Sequence, residues 1–304
     1  MGEALINACS FAGVIVLAFL ARRLGVLGRD ARVVVSAAML SITLPASIIV
    51  NLNGAAIGAD DVCFLGLGVL ANVAALAVGW LFGHRGGSQD AAFFMVSLAG
   101  CNIGCFAMPF IAGLLPARAI VQASLFDVGN SLMCLGLNYG IIAQVKEPAA
   151  RIDWHRMAKS VYGSVPVMTY LVMMGLCVLG IALPVQVMGI ADIAAKANPF
   201  LAMAAIGTAV ELGIRDKTEL CHVLLPLFAR FVLSLVLAGV ALVVLPIPLE
   251  ARPVAAILFF APIGAISSVF AYKLELDGAA SAFINSLYIP ISIASMSILI
   301  GLFI

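Results

Sequence analysis

The chain has 304 residues, of which 64% are hydrophobic and only 10% are charged. Soluble domains carry about 25% charged residues, so this composition excludes a large water-soluble domain and indicates an integral membrane protein. The formal net charge is only +1. Because no basic cluster stands out in the sequence, we expect no nucleic-acid partner.

Hydrophobic stretches of membrane-crossing length recur along the whole chain. A helix needs about 20 mostly apolar residues to cross the hydrocarbon core. We predict ten transmembrane spans, at residues 4–22, 33–52, 62–82, 91–112, 118–143, 161–182, 196–213, 220–245, 253–272 and 279–303. The predicted fold class is therefore an all-α integral membrane protein of ten helices.

The longest polar connection falls near the middle of the chain. It divides the sequence into a first five-helix repeat at 1–146, a cytoplasmic connecting loop at 147–160 and a second five-helix repeat at 161–304. Alternate connections between spans hold twelve of the sixteen lysines and arginines. Since the side richer in these residues is cytoplasmic, we predict a multi-pass protein of the inner (plasma) membrane with both termini outside.

Two predicted spans contain glycine and proline where a membrane helix is weakened. Span 4 holds Gly104 and Pro109, and span 9 holds Pro262 and Gly264. Proline removes a backbone hydrogen bond and glycine weakens the helix further, while lipid cannot satisfy the freed backbone groups. We predict that both helices break inside the membrane, in an arrangement typical of a transporter substrate site.

The two halves of the sequence are related by a nearly constant offset. Pro109 and Pro262 are 153 residues apart, and the Asn-Ser-Leu sequence at 130–132 recurs at 285–287, an offset of 155. Both offsets are close to half the chain. Because five spans is an odd number, the second half enters the membrane from the opposite side, which predicts an inverted repeat.

The cysteines and histidines indicate no metal or catalytic site. Seven cysteines lie almost entirely in apolar stretches. Cys101 and Cys105 are one helical turn apart, but two thiols do not make a zinc site. We expect no metal, no cofactor and no catalytic residue, because the sequence also lacks the HExxH, GxSxG and Walker patterns.

Several motifs in order along the ten spans resemble the auxin efflux carrier family of bacterial and plant membrane transporters. This similarity covers nearly the whole chain and rests on residues 21–27, the Leu-Pro-Ala at 44–46, Asn102 with Gly104 and Pro109, residues 124–130, and residues 261–264. The family usually has Thr and Gly where this chain has Ile103 and Ala107, and span 9 also loses a Thr.

The resemblance implies a fold shared with bile-acid symporters and sodium/proton antiporters. In that fold spans 1, 2, 6 and 7 form a scaffold, spans 3–5 and 8–10 form a mobile core, and the broken spans 4 and 9 cross. The resemblance also implies transport of small organic anions such as malate, malonate or indole acetate without ATP, by elevator-type movement. The family includes dimers, and we expect a homodimer through scaffold spans such as 2 and 7.

The predicted substrate site lies where the two broken helices cross. Half-helix N-termini carry partial positive charge and free N–H donors, which suit a carboxylate. The residues that we assign to substrate binding are Asn102, Gly104, Pro109, Pro262, Gly264, Ser267 and Ser268. The alternative is that Asn102 caps a half-helix and that the serines fill packing gaps.

Asp127 is the acidic residue that the sequence places deep inside a span. A carboxylate there is costly and suggests an ion pathway, so we assign ion coupling to Asp127 and Asn130; a structural hydrogen bond is the alternative. Arg230 lies about ten residues into span 8. It is a candidate counter-charge for Asp127 or the substrate, or a side chain that extends to the membrane surface.

These features favour a secondary transporter coupled to protons or to the membrane potential over three alternative functions. A sodium-coupled organic-anion symporter of the bile-acid type is the nearest, but sodium needs several oxygen ligands and span 9 offers only two hydroxyls at the break. A channel would need a continuous polar stripe, and an intramembrane enzyme would need a catalytic set. We therefore expect coupling to protons or to the membrane potential.

Overall fold

The computed structural model describes residues 2–28, 30–112, 114–147, 154–210 and 217–303. Within these ranges the chain is all-helical and has no strand. The α-helices are α1 (Gly2–Arg23), α2 (Ala31–Ala38), α3 (Leu44–Leu52), α4 (Ala59–Gly83), α5 (Ser88–Leu98), α6 (Met108–Ile111), α7 (Ala117–Ser131), α8 (Asn138–Lys146), α9 (Trp154–Tyr162), α10 (Val165–Val178), α11 (Val185–Ala209), α12 (Lys217–Val243), α13 (Arg252–Phe259), α14 (Ile266–Lys273) and α15 (Gly278–Phe303).

Three π-helical turns join some of these helices into longer rods. They lie at Met39–Thr43, Ile103–Ala107 and Leu132–Leu137. Such turns widen the helix by one residue and are frequent at functional sites. The second follows a predicted break, and the third follows Asp127 and Asn130 closely.

Seven helical stretches of the described chain are long and apolar enough to cross a membrane. They are Ala31–Leu52, Ala59–Gly86, Ser88–Ile111, Ala117–Lys146, Val185–Ala209, His222–Val243 and Gly278–Phe303. They coincide with predicted spans 2–5, 7, 8 and 10. The chain therefore has the helices of a membrane protein.

The other three predicted spans do not meet the same measure among the described residues. Span 1 corresponds to α1, and span 6 to α10, which has 14 residues. Span 9 is divided between α13 and α14, each of eight residues. A 14-residue helix is only about 21 Å long, which is shorter than the hydrocarbon core of about 30 Å. The ten-span inverted repeat stays a prediction.

One predicted boundary needs correction. Span 7 was expected to begin at residue 196, but α11 begins at Val185, directly after Pro184. Asp192 and Lys196 lie inside α11 and form an exposed ion pair of 2.6 Å. In the predicted loop at 147–160, α9 begins at Trp154, and residues 148–153 are outside the described part.

The helices pack in two groups. In the first helix group, α1, α2 and α3 all contact α11, and α10 packs against α3. In the second helix group, α4 lies against α5 and α7, while α12 contacts α13 and α15, and α14 contacts α15 and α5. The first group contains predicted spans 1, 2, 6 and 7. Contacts of α7 with α3 and α10, and of α1 with α15, join the groups.

Glycines set the closest helix contact of the second group. A Cβ atom at Gly68 of α4 would strike the carbonyl of Phe126 on α7, and one at Gly129 of α7 would strike the carbonyl of Leu65. Small residues of this kind let membrane helices approach closely. The contact brings Asn130, in the last turn of α7, against α4, where it accepts a hydrogen bond from Asn72.

Candidate functional site

The first predicted break is present, but it precedes its proline. Helix α5 ends at Leu98, residues 99–102 are not helical, and the chain resumes with the π-helix Ile103–Ala107. Gly100 has φ +89°, a conformation that glycine adopts readily. Pro109 is the second residue of α6, which continues directly from the π-helix Ile103–Ala107. The proline thus lies inside the helical rod that begins at Ile103 and not in the unwound stretch.

The second break contains the residues that predicted it. Helix α13 ends at Phe259, and α14 begins at Ile266. Pro262 and Gly264 lie in the stretch between them and are buried. The proline removes one N–H donor from this stretch, which lowers the number of backbone groups that need a partner away from water.

The two unwound stretches contact each other directly. The Asn102 N–H donates to the Pro262 carbonyl at 2.7 Å, and Ser267 Oγ donates to the Ala99 carbonyl at 3.0 Å. A Cβ atom at Gly100 would lie 3.8 Å from the Gly264 nitrogen. We call residues 99–102 together with 260–265 the crossing.

Asn102 is a half-buried amide at the crossing. It occupies the N-cap position of the π-helix Ile103–Ala107, yet its side chain makes no capping hydrogen bond. Asn102 is half-buried and Ala265 is exposed, so part of the crossing is accessible. An amide that offers a donor and an acceptor there can bind an oxygen-rich ligand.

The predicted serines are engaged with the backbone. Ser267 donates to the Ala99 carbonyl, and Ser268 donates to the Ala265 carbonyl at 3.0 Å. Both side chains are buried. Each hydroxyl oxygen can still accept a hydrogen bond, but its proton is already used within the protein.

Asp127 is buried beside the crossing and is bound by neutral donors. Asn130 Nδ2 donates to Oδ1 at 2.9 Å, and the Tyr170 hydroxyl donates to Oδ2 at 2.9 Å. A Cβ atom at Gly104 would lie 2.7 Å from Oδ2, so glycine permits the carboxylate to approach this helix. Within the described part of the chain, no lysine or arginine forms an ion pair with Asp127.

Asn130 connects Asp127 to the unwound backbone. Its Oδ1 accepts from the Cys101 N–H at 2.9 Å, and its Nδ2 donates to the Cys101 carbonyl at 2.7 Å. The side chain therefore replaces both backbone partners that an unbroken helix would have given Cys101. These two hydrogen bonds from Asn130 explain how the N–H and the carbonyl of a non-helical residue find partners in an apolar interior.

The sequence analysis missed three polar residues of this cluster. Asn72 Nδ2 donates to Asn130 Oδ1 at 3.1 Å, and Asn138 Nδ2 donates to Asn72 Oδ1 at 2.8 Å. Tyr170, on α10 of the first helix group, holds Asp127 from the other side. The sequence offered two clues to these residues. Each has an amide or hydroxyl in the middle of a predicted span, and the eight-residue spacing of Asn130 and Asn138 places both on one face of a helix.

Arg230 is buried at the crossing and does not extend to the surface. Its side chain is only 2% exposed. Nη1 donates to the Leu98 carbonyl at 3.0 Å, and Nη2 donates to the Ala261 carbonyl at 3.3 Å and to Cys101 Sγ at 3.1 Å. The described residues include no carboxylate paired with Arg230, so it is not placed as a counter-charge for Asp127.

A second acid is buried, but it lies at the start of a helix and not deep inside a span. Asp61, in the first turn of α4, is 1% exposed. It accepts from the Gly58 N–H at 3.0 Å, from Arg118 Nε at 3.2 Å and from Gln122 Nε2 at 3.1 Å. Because its charge is paired and its oxygens are bound, Asp61 has the surroundings of a structural ion pair.

The described residues of the site do not form a metal-binding cluster. Among the described residues, no group of three or more His, Cys, Asp or Glu side chains could hold a metal ion.

No protein-family model matches the chain, and no curated protein matches it either. The fold and the site together define a helical protein with apolar helices that are long enough to span a membrane and with a polar crossing in its interior.

Proposed function

We propose that the chain is a secondary active transporter that carries a small organic anion across the plasma membrane by elevator-type alternating access. The observation that carries this proposal is the Asn102 side chain, which makes no capping hydrogen bond and lies at the contact between two unwound stretches of the described chain. Unwound, paired helices at membrane depth are typical of transporter substrate sites.

The electrostatics of the crossing favour an anion. Two helical segments begin there, at Ile103 and Ile266, and helix N-termini attract negative charge. The Arg230 guanidinium adds a full positive charge that no described carboxylate neutralises. We propose a carboxylate of the malate, malonate or indole-acetate type, in agreement with the resemblance to auxin efflux carriers.

We propose that Asp127 couples transport to protons. It belongs to the second helix group, but its Oδ2 is held by Tyr170 of the first group. A hydrogen bond to an ionised carboxylate is about twice as strong as a neutral one. Protonation of Asp127 therefore weakens a bond between the second helix group, which we propose to move, and the first. We propose that the first helix group stays fixed as the scaffold of a homodimer.

Sodium coupling, as in bile-acid symporters, is the alternative to proton coupling. Sodium requires several oxygen ligands, and the hydroxyls of Ser267 and Ser268 already donate to backbone carbonyls. Their geometry favours neither ion by itself. The direct comparison is transport under a sodium gradient and under a pH gradient.

Uptake by proteoliposomes tests the proposal. Purified protein is reconstituted and offered labelled mono- and dicarboxylates under an imposed pH gradient, an imposed sodium gradient, or neither. We expect saturable uptake of at least one carboxylate, increased by the pH gradient alone. Asn102→Ala removes one polar contact worth about 1–2 kcal/mol, so its apparent affinity should fall about tenfold while its thermal stability is kept.

Three results of the uptake experiment would contradict the proposal or part of it. No uptake of any carboxylate by folded protein contradicts the proposed function. Stimulation by sodium and not by protons establishes the sodium-coupled alternative. Unchanged affinity in Asn102→Ala places the substrate elsewhere in the molecule.

A further inference from the structure

Arg230 joins the ends of the two broken helices. Its Nη1 donates to the carbonyl of Leu98, the last residue of α5, and its Nη2 donates to the carbonyl of Ala261, two residues beyond the end of α13. One guanidinium thus bridges backbone carbonyls from both halves of the chain. It belongs to α12, which passes beside the crossing.

These carbonyls form the kind of environment that attracts a cation. The C-terminal end of a helix carries partial negative charge, and the carbonyls of an unwound stretch have lost their helical donors. In transporters with discontinuous helices, such carbonyls and half-helix C-termini coordinate the coupling Na⁺. Two C-terminal ends that meet without a cation would repel each other in an apolar interior.

No described acid supplies the negative partner of Arg230. The guanidinium is 2% exposed, and its remaining neighbours are Cys101 Sγ at 3.1 Å and the Tyr288 ring, with Cζ 5.9 Å from the centroid. Nε has no partner within the described residues. A buried charge of this kind is retained only where something compensates it, and here the two carbonyl ends do so.

We propose that Arg230 is a tethered cation that holds the two half-helix C-termini together in place of a free Na⁺, so that the crossing forms without sodium. Its role is that of a positioning residue that decides which ion the protein needs. The role of Arg230 in assembling the crossing follows from its contacts alone. Its consequence, transport that does not depend on sodium, rests on the proposed function.

Thermal unfolding of purified protein tests the tethered cation without any substrate. Wild type, Arg230→Lys, Arg230→Gln and Arg252→Gln are compared in sodium chloride and in choline chloride at equal ionic strength, with and without low-millimolar guanidinium. Arg252 is the matched control, because it also donates to backbone carbonyls, those of Leu242 and Ile247. Both carbonyls belong to the last turn of α12 and the connection that follows it, so Arg252 does not join the two halves of the chain.

We expect wild type and Arg252→Gln to unfold at the same temperature in both salts. Arg230→Gln should lose about 5 °C or more, and sodium or guanidinium should restore part of that loss. Arg230→Lys, which keeps a positive charge, should lie closer to wild type than Arg230→Gln does and should be insensitive to sodium.

Several results would overturn the proposal. A wild-type midpoint that rises with sodium means that a free cation binds with Arg230 in place. An Arg230→Gln variant as stable as wild type, or one that no cation restores and that lysine does not improve, means that charge at this position is unimportant. If Arg230→Gln does not fold, the wild-type salt comparison and Arg230→Lys decide alone. Because no transport is measured, absence of carboxylate uptake would contradict the proposed function and leave these results unaffected.

Discussion

Replacing Asn130 with alanine should destabilise the protein far more than the same change at the corresponding position of the second half. Asn130 is 3% exposed. It binds the N–H and the carbonyl of Cys101 as well as Asp127 and Asn72. Alanine removes all of these bonds and leaves the Cys101 peptide without partners in an apolar interior.

The magnitude follows from the groups that are left unsatisfied. A buried polar group that loses its partner costs about 1–3 kcal/mol, and two backbone groups of Cys101 are affected. Hydrogen bonds measured in a membrane protein average only about 0.6 kcal/mol each, which lowers the sum. We therefore expect a loss of about 2–4 kcal/mol, equivalent to about 5–15 °C in the unfolding temperature.

Asn285 is the matched control, because it occupies the place of Asn130 in the Asn-Ser-Leu sequence of the second half. Its buried Oδ1 has no hydrogen-bond partner within the described residues, so Asn285→Ala should cost less than about 1 kcal/mol. Thermal unfolding of both variants in detergent checks the comparison. Equal losses, or no loss in Asn130→Ala, would refute the view that Asn130 supports the break.

Three further predictions follow from the same geometry. Asp127→Asn keeps the shape of the side chain but cannot release a proton, so pH-driven accumulation in proteoliposomes should be abolished while exchange persists; accumulation equal to wild type would make Asp127 structural. Gly104→Ala should cost about 1–3 kcal/mol in thermal unfolding, because its Cβ would lie 2.7 Å from Asp127 Oδ2, whereas Gly66→Ala, with no atom within 4 Å, should be neutral. In a variant without its exposed cysteines, a cysteine at Ala56 should be labelled from outside intact cells and one at Arg85 should not; the reverse would overturn the predicted orientation.

The sequence allowed the breaks to be predicted because glycine and proline act locally. Pro262 and Gly264 lie in an unwound stretch for the reason given in advance, namely the loss of helical bonds. Pro109 shows the limit of that reasoning, since it lies inside a helical rod, directly after the π-helical turn Ile103–Ala107. The chain unwinds seven to ten residues before Pro109, at residues 99–102, where Gly100 has φ +89° and the Asn130 side chain binds the N–H and carbonyl of Cys101.

The partners of the polar residues could not be predicted, because they depend on helix packing. Tyr170 reaches Asp127 from α10 across 43 residues of sequence, and Arg230 reaches the Leu98 carbonyl across 132. Periodicity places a residue on a face of its own helix, but it does not say which helix lies opposite. The burial of Asp61 was missed for a related reason, since an acid in the first turn of a helix is ordinarily a solvated N-terminal charge.

Counterflow in proteoliposomes tests the central claim, that the crossing belongs to a carrier. Vesicles loaded with an unlabelled carboxylate and diluted into the labelled compound should accumulate label transiently above equilibrium, because a carrier returns through the membrane with substrate bound. Asn102→Ala should show the same overshoot only at higher carboxylate concentration. Label that merely equilibrates, at a rate that preloading does not change, would identify a channel; chemical alteration of the label would identify an enzyme, and either result would contradict the account.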